Sequence, residues 1–127
     1  DKAAQKFEDD YLDMLMPCLK DIGFDAITYM PSRNTKAQLE RVMALCEKYG
    51  FFQISGEDIN SPRQSFVCPA MVEYRHLYDA TYALIGHEKL ASVDAELGMF
   101  SASAVAKMPS LDTRIRWFAA EGRKLGV

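Results

Sequence analysis

Three oxygen-bearing side chains, Glu57, Asp58 and Asn60, follow a short apolar run in this chain, and Arg63 stands close behind them. Carboxylates and an amide oxygen are hard ligands that suit Mg²⁺, Mn²⁺ or Zn²⁺ with water, and a guanidinium engages a phosphate oxygen in a planar, charge-assisted fork. The stretch reads FFQISGEDINSP from Phe51 to Pro62. Phe51, Phe52 and Ile54 predict a short buried strand, Gly56 a tight turn, and the oxygen ligands then fall beyond the strand's end. The same letters are also ordinary turn formers, so a solvated loop is the plainer alternative. Ser32-Arg33-Asn34 is a second candidate. It falls between a strand and a helix N-terminus, a place that favours anions, although a solvated loop arginine is the plainer account of it.

Other reactive side chains offer less. A multinuclear metal centre needs several imidazoles and carboxylates converging, and the chain's two histidines, His76 and His87, both fall in its C-terminal half, where structural or surface roles are expected. Cys18, Cys46 and Cys68 are odd in number, form no C-x-x-C pair and have no nearby histidine to activate a thiolate. Tyr74, Tyr78 and Tyr82 recur every four residues, which predicts one packed helix face.

The elements that must position these groups follow from periodicity and punctuation. Phe7, Tyr11, Leu15, Cys18, Leu19 and Ile22 recur at spacings of three and four, predicting a helix over about 6–21 with Pro17 as a kink or break and Gly23 as its end. Phe24 to Met30 reads as a strand stopped by Pro31. Asn34 or Thr35 caps a helix whose apolar face is Leu39, Val42, Met43, Cys46 and Tyr49, and Gly50 closes it. Phe51 to Ser55 is the next strand. A strand, helix, strand order makes a βαβ unit with parallel strands, so the loops after both strands emerge on one edge and can share a ligand. Beyond Cys68-Pro69 the character turns helical, with helices expected over 72–85, 87–97, 101–107 and 111–125. Ser110 caps the last, and Ile115, Phe118, Ala119 and Leu125 give it an apolar face.

With 127 residues, 49% hydrophobic and 26% charged, the chain can build one ordinary core. A net charge of −3 and a pI near 5.3 leave no basic footprint, which makes nucleic acid an unlikely partner. No window reaches the ~18 apolar residues of a membrane span, and no signal segment opens the chain, so a reduced, cytoplasmic protein with no membrane partner is expected. The chain opens on Asp1 directly into an amphipathic pattern, as a piece of a longer protein would, and as a trimmed recombinant chain would too.

The order of elements from about Leu15 to Pro62 resembles the C-terminal part of a PHP domain, the polymerase and histidinol phosphatase superfamily of metal-dependent phosphoesterases. Gly23-Phe24-Asp25-Ala26-Ile27 is similar to the family's G-[IF]-D-[AG]-I strand. Leu39 to Gly50 follows its L-x-x-[LV]-x-x-x-[AC]-x-x-[YH]-G helix, and Gly56-Glu57-Asp58-Ile59-Asn60-Ser61 resembles its G-S-D-x-H-G loop. The resemblance implies that Asp58 is a metal ligand, that Asn60 replaces the family's histidine as a weaker, uncharged ligand, and that Glu57 is a substitute carboxylate where the family often has serine. The family's opening His-x-His strand, its next acidic ligand and its middle histidines have no counterpart here, and the chain is too short to close the family's distorted β/α barrel.

The expected fold class is therefore α/β: a partial PHP-like segment over 1–69 with a parallel βαβ unit, then a helical region over 70–127 packed on it as one globular unit. The expected activity is hydrolysis of a phosphorylated small molecule by metal-activated water in a complete protein, with Mn, Zn or Mg bound weakly or not at all by this chain alone. Asp58, Asn60 and Glu57 are the candidate metal ligands, and Arg63 and Arg33 the candidate phosphate-binding residues. A missing N-terminal half or a homo-oligomer partner is expected to cover the sheet. The alternative is a non-catalytic interaction or regulatory domain that has lost the metal site.

Overall fold

The computed structural model describes residues 10–57, 59–64 and 69–126. The chain is mixed α/β and mostly helical, and it divides after Pro69 into two compact units, 1–69 and 70–127. No helix among the described residues is long and apolar enough to cross a membrane.

The first unit runs α1 (Leu12–Ile22), β1 (Ala26–Tyr29), a 3₁₀ turn (Pro31–Arg33), α2 (Lys36–Tyr49) and β2 (Phe52–Ser55). Gly23, at φ 107°, ends α1 by donating its N–H to the carbonyls of Leu19 and Lys20, a left-handed conformation that costs glycine little. A capping box opens α2: the Gln38 N–H donates to Thr35 Oγ1 at 3.3 Å, and the Thr35 N–H donates to Gln38 Oε1 at 2.8 Å. Gly50, at φ 69°, closes that helix. β1 and β2 pair in parallel with Ala26 beside Phe52 and Tyr29 beside Ser55, as the crossover helix requires. Two strands make up the sheet among the described residues, and they form no barrel.

Four local expectations differ from the structure. Pro17 lies inside an unbroken α1, and the face that helix buries is Leu12, Met16 and Leu19, packed with Leu45, Cys46 and Phe51. Of the stripe predicted to be buried, Tyr11, Leu15, Cys18 and Ile22 are exposed, Leu19 packs on the core, and Phe7 lies outside the described residues. This helix carries two apolar stripes about a quarter-turn apart, so spacing alone cannot choose between them. Phe24 is likewise exposed and precedes the strand. Gly56 does not have a positive φ: its N–H donates to the Tyr29 carbonyl at 3.1 Å, so it extends the strand pairing instead of making a tight turn.

The second unit consists of α3 (His76–Ala91), a 3₁₀ turn (Ala95–Leu97), α4 (Ala102–Lys107) and α5 (Leu111–Arg123). Ser101 and Ser110 cap α4 and α5 by accepting from the N–H groups of Ala104 and Thr113. One helix replaces the two expected over 72–85 and 87–97, because Gly86 is an interior contact point and not a stop. α3 crosses α5 where Gly86 meets Gly122: a Cβ at Gly86 would lie 2.1 Å from the Phe118 carbonyl oxygen, and one at Gly122 would lie 2.0 Å from that of Tyr82. The face α3 buries is Leu77, Ala80, Ala83 and Gly86, small enough to let the two backbones approach. The tyrosine stripe is therefore not the packed face. Tyr78 is exposed, Tyr74 precedes the helix, and Tyr82 lies under the Arg123 guanidinium at 4.7 Å, while Arg123 also pairs with Asp79. In α5, Phe118 and Ala119 are buried, whereas Leu125 lies beyond the helix and is exposed.

Between these helices the backbone of Met99 is held from both sides. Its N–H donates to His87 Nδ1 at 2.9 Å, and its carbonyl accepts from Arg114 Nη1 at 2.9 Å. His87 is thus a structural acceptor whose ring meets Phe100 and Phe118 edge-on. Arg114 is the buried charged residue of this unit, and its Nε has no acceptor among the described residues.

Candidate functional site

The loops after β1 and β2 leave the sheet on the same edge because the strands are parallel. They are also tied together. The Ser32 N–H donates to Glu57 Oε1 at 3.1 Å, and the Ser32 hydroxyl donates to Glu57 Oε2. Glu57 therefore uses both carboxylate oxygens to hold the first loop against the second. Around this bridge each loop braces itself. Asn34 Nδ2 donates to the Met30 carbonyl at 2.8 Å, the Asn60 N–H to Gln64 Oε1 at 2.9 Å, and the Arg63 N–H to Ser61 Oγ at 3.3 Å. Below the edge, the Tyr29 hydroxyl donates to Gln53 Oε1 at 2.9 Å across the two strands.

Of the expected site residues, Glu57, Asn60, Arg33 and Arg63 all lie on these two loops and all are exposed. The structure joins Glu57 to the Ser32-Arg33-Asn34 loop. Asn60 and Arg63 follow on the second loop. Asp58, and with it the ligand role implied for that position, lies outside the described residues, as does Cys68. No group of three or more His, Cys, Asp or Glu side chains among the described residues converges as a metal site. Glu57 accepts from Ser32 with both of its carboxylate oxygens. The Ser32–Glu57 bridge escaped sequence reasoning, since it joins positions 25 apart; the signal for it was a serine at a helix-like turn facing a loop carboxylate across a parallel pair.

The cysteines separate by environment. Cys46 is fully buried in the first core, and burial raises its thiol from 9.0 to about 11. Because the folded value lies above the unfolded one, this contribution to stability is complete below pH 9.0 and is lost as pH rises through about 11. Cys18 is exposed on α1. With a thiol-alkylating reagent at neutral pH, peptide mapping is expected to find Cys18 modified and Cys46 protected until the chain is unfolded. Equal rates at the two positions would show that the first core opens readily.

Comparison with protein-family models, with curated proteins and with solved structures finds no match for this chain.

Proposed function

We propose that the paired loops above β1 and β2 form part of a phosphate-ester site of the PHP-like kind, to which this chain contributes the carboxylate loop and two arginines. The observation that carries this reading is the Ser32–Glu57 bridge, which makes one edge of two loops 25 residues apart and sets Arg33 on it. In this reading Glu57 fixes the loop geometry, and the guanidinium groups of Arg63 and Arg33 offset the charge of a phosphoryl group and orient it. In a complete phosphoesterase of this kind, Mn, Zn or Mg would supply activated water, with Asp58 as one ligand and Asn60 as a weak one.

A second reading has a specific observation in its favour. Glu57 is satisfied by Ser32 and so acts as a structural brace, which fits a non-catalytic interaction domain built on the same scaffold.

Calorimetric titration separates the two. The phosphoesterase reading expects weak but saturable binding of phenyl phosphate, reduced roughly tenfold in Arg63→Ala, with Mn²⁺ and Zn²⁺ binding weakly or not at all. Absence of phenyl phosphate binding, or equal binding by Arg63→Ala, favours the brace. Submicromolar metal affinity lost in Asp58→Ala would show instead that the chain completes its own metal centre.

A further inference from the structure

The stripe of α1 that the first core leaves open has a spacing of its own. Tyr11, Leu15, Cys18 and Ile22 stand four, three and four residues apart, the alternation by which a helix presents an apolar seam to a second helix. Tyr11 precedes α1 but continues its spiral, since its carbonyl accepts from the Leu15 N–H at 2.9 Å. Cys18 is exposed, Leu15 is 39% and Ile22 72% exposed, Tyr11 is 50% exposed, and Met14 beside them is 68% exposed. The rest of the helix is engaged within the chain: Leu12, Met16 and Leu19 pack in the first core, Asp13 pairs with Arg41, and the Lys20 ammonium donates to the Gly50 carbonyl.

Two properties of the seam select its occupant. The first is symmetry. In an antiparallel pair of α1 helices, Tyr11 falls opposite Ile22 of the second copy and Leu15 opposite Cys18 of the second copy, so every seam residue meets another about a single two-fold axis. No seam residue is charged, so a partner chosen by charge finds nothing to recognise, and two copies bring no like charges together across it. The second is area. With large side chains on the order of 150–250 Å² each, the exposures of these five residues come to roughly 500 Å² per copy, or about 1,000 Å² for a pair, which is what a specific but weak interface needs. We propose that two copies of the chain associate through an antiparallel pairing of their α1 helices along Tyr11, Leu15, Cys18 and Ile22, as a weak symmetric dimer. The pairing uses no residue of the two loops and holds whatever those loops bind.

Sedimentation of the full chain across a concentration series tests this. Expected is a rise from 14.3 kDa to twice that mass, with a dissociation constant on the order of 10 μM. Tyr11→Glu buries an unpaired carboxylate against Ile22 of the second copy and should raise that constant at least about tenfold. Adding Ile22→Lys to Tyr11→Glu should restore the dimer, because an antiparallel pair sets the two new charges side by side, whereas a parallel pair sets like against like. Both positions are exposed, so the variants are expected to fold, which circular dichroism checks. Val93→Lys, at an exposed position of the second unit, is the control and should leave the dimer unchanged. The proposal is overturned if the chain remains at 14.3 kDa up to roughly 1 mM, if Tyr11→Glu associates as the wild type does, if the double variant stays monomeric, or if Val93→Lys alone dissociates the pair.

Discussion

Gly86→Ala is expected to abolish the folded second unit, with a cost of at least about 3 kcal/mol. The added methyl would sit 2.1 Å from the backbone oxygen of Phe118, and neither helix can move a backbone carbonyl without losing the packing of Leu77, Ala80 and Ala83. Gly122→Ala meets the Tyr82 carbonyl at 2.0 Å and should behave alike. The informative control is Gly98→Ala, whose methyl would meet the His87 ring at 2.9 Å. That ring is a side chain and can give way, so the expected loss is smaller and falls on the His87–Met99 hydrogen bond. Urea unfolding followed by circular dichroism checks the order. Near-native stability of Gly86→Ala would show that α3 and α5 do not approach as closely as described.

The second large effect belongs to the first unit. Phe51→Ala is expected to cost about 3–5 kcal/mol, because it empties a ring-sized volume from a small core whose other buried members among the described residues are Met16, Leu45 and Cys46. Phe51 is 2% exposed, and its ring also carries the Lys20 ammonium at 4.9 Å, so the truncation removes packing and a cation–π contact together. Chemical denaturation of wild type and variant measures the difference. A loss under about 1 kcal/mol would mean that the site collapses around the missing ring or that Phe51 is not at the centre of this core.

The residues that made structure legible in the sequence are those whose constraint is local. Thr35, Gly50, Gly23 and Ser110 each act within one turn of backbone, and caps and stops fell where their chemistry placed them. The parallel pairing of β1 and β2 was legible for a topological reason, since a helix between two strands leaves few other connections. Errors arose where a distant partner decides. Gly86 reads as a stop by local rules, yet it is held in mid-helix by Gly122 from another helix. α1 offers two apolar stripes, and only Leu45, Cys46 and Phe51 determine which is buried. The tyrosine spacing on α3 is genuine, but the close approach of α5 selects the small residues beside it. At the site, the loops and their residue types were legible, whereas the Glu57 carboxylate's engagement by Ser32 depends on a contact 25 residues away and was not. Arg114 was missed for a related reason: an arginine among Ile115, Trp117 and Phe118 reads as a surface residue until the Met99 carbonyl is found opposite it.

The phosphate-ester reading stands or falls on whether the two loops respond to a phosphoryl group as one surface. The most direct measurement is a titration of the ¹⁵N-labelled chain with phenyl phosphate, followed by backbone amide shifts. The account predicts saturable shifts with one common affinity for the amides of residues 32–34, 57–61, 63 and 64, and their loss in Arg63→Ala. Shifts confined to other parts of the chain, or none at these loops at saturating phenyl phosphate, would contradict it.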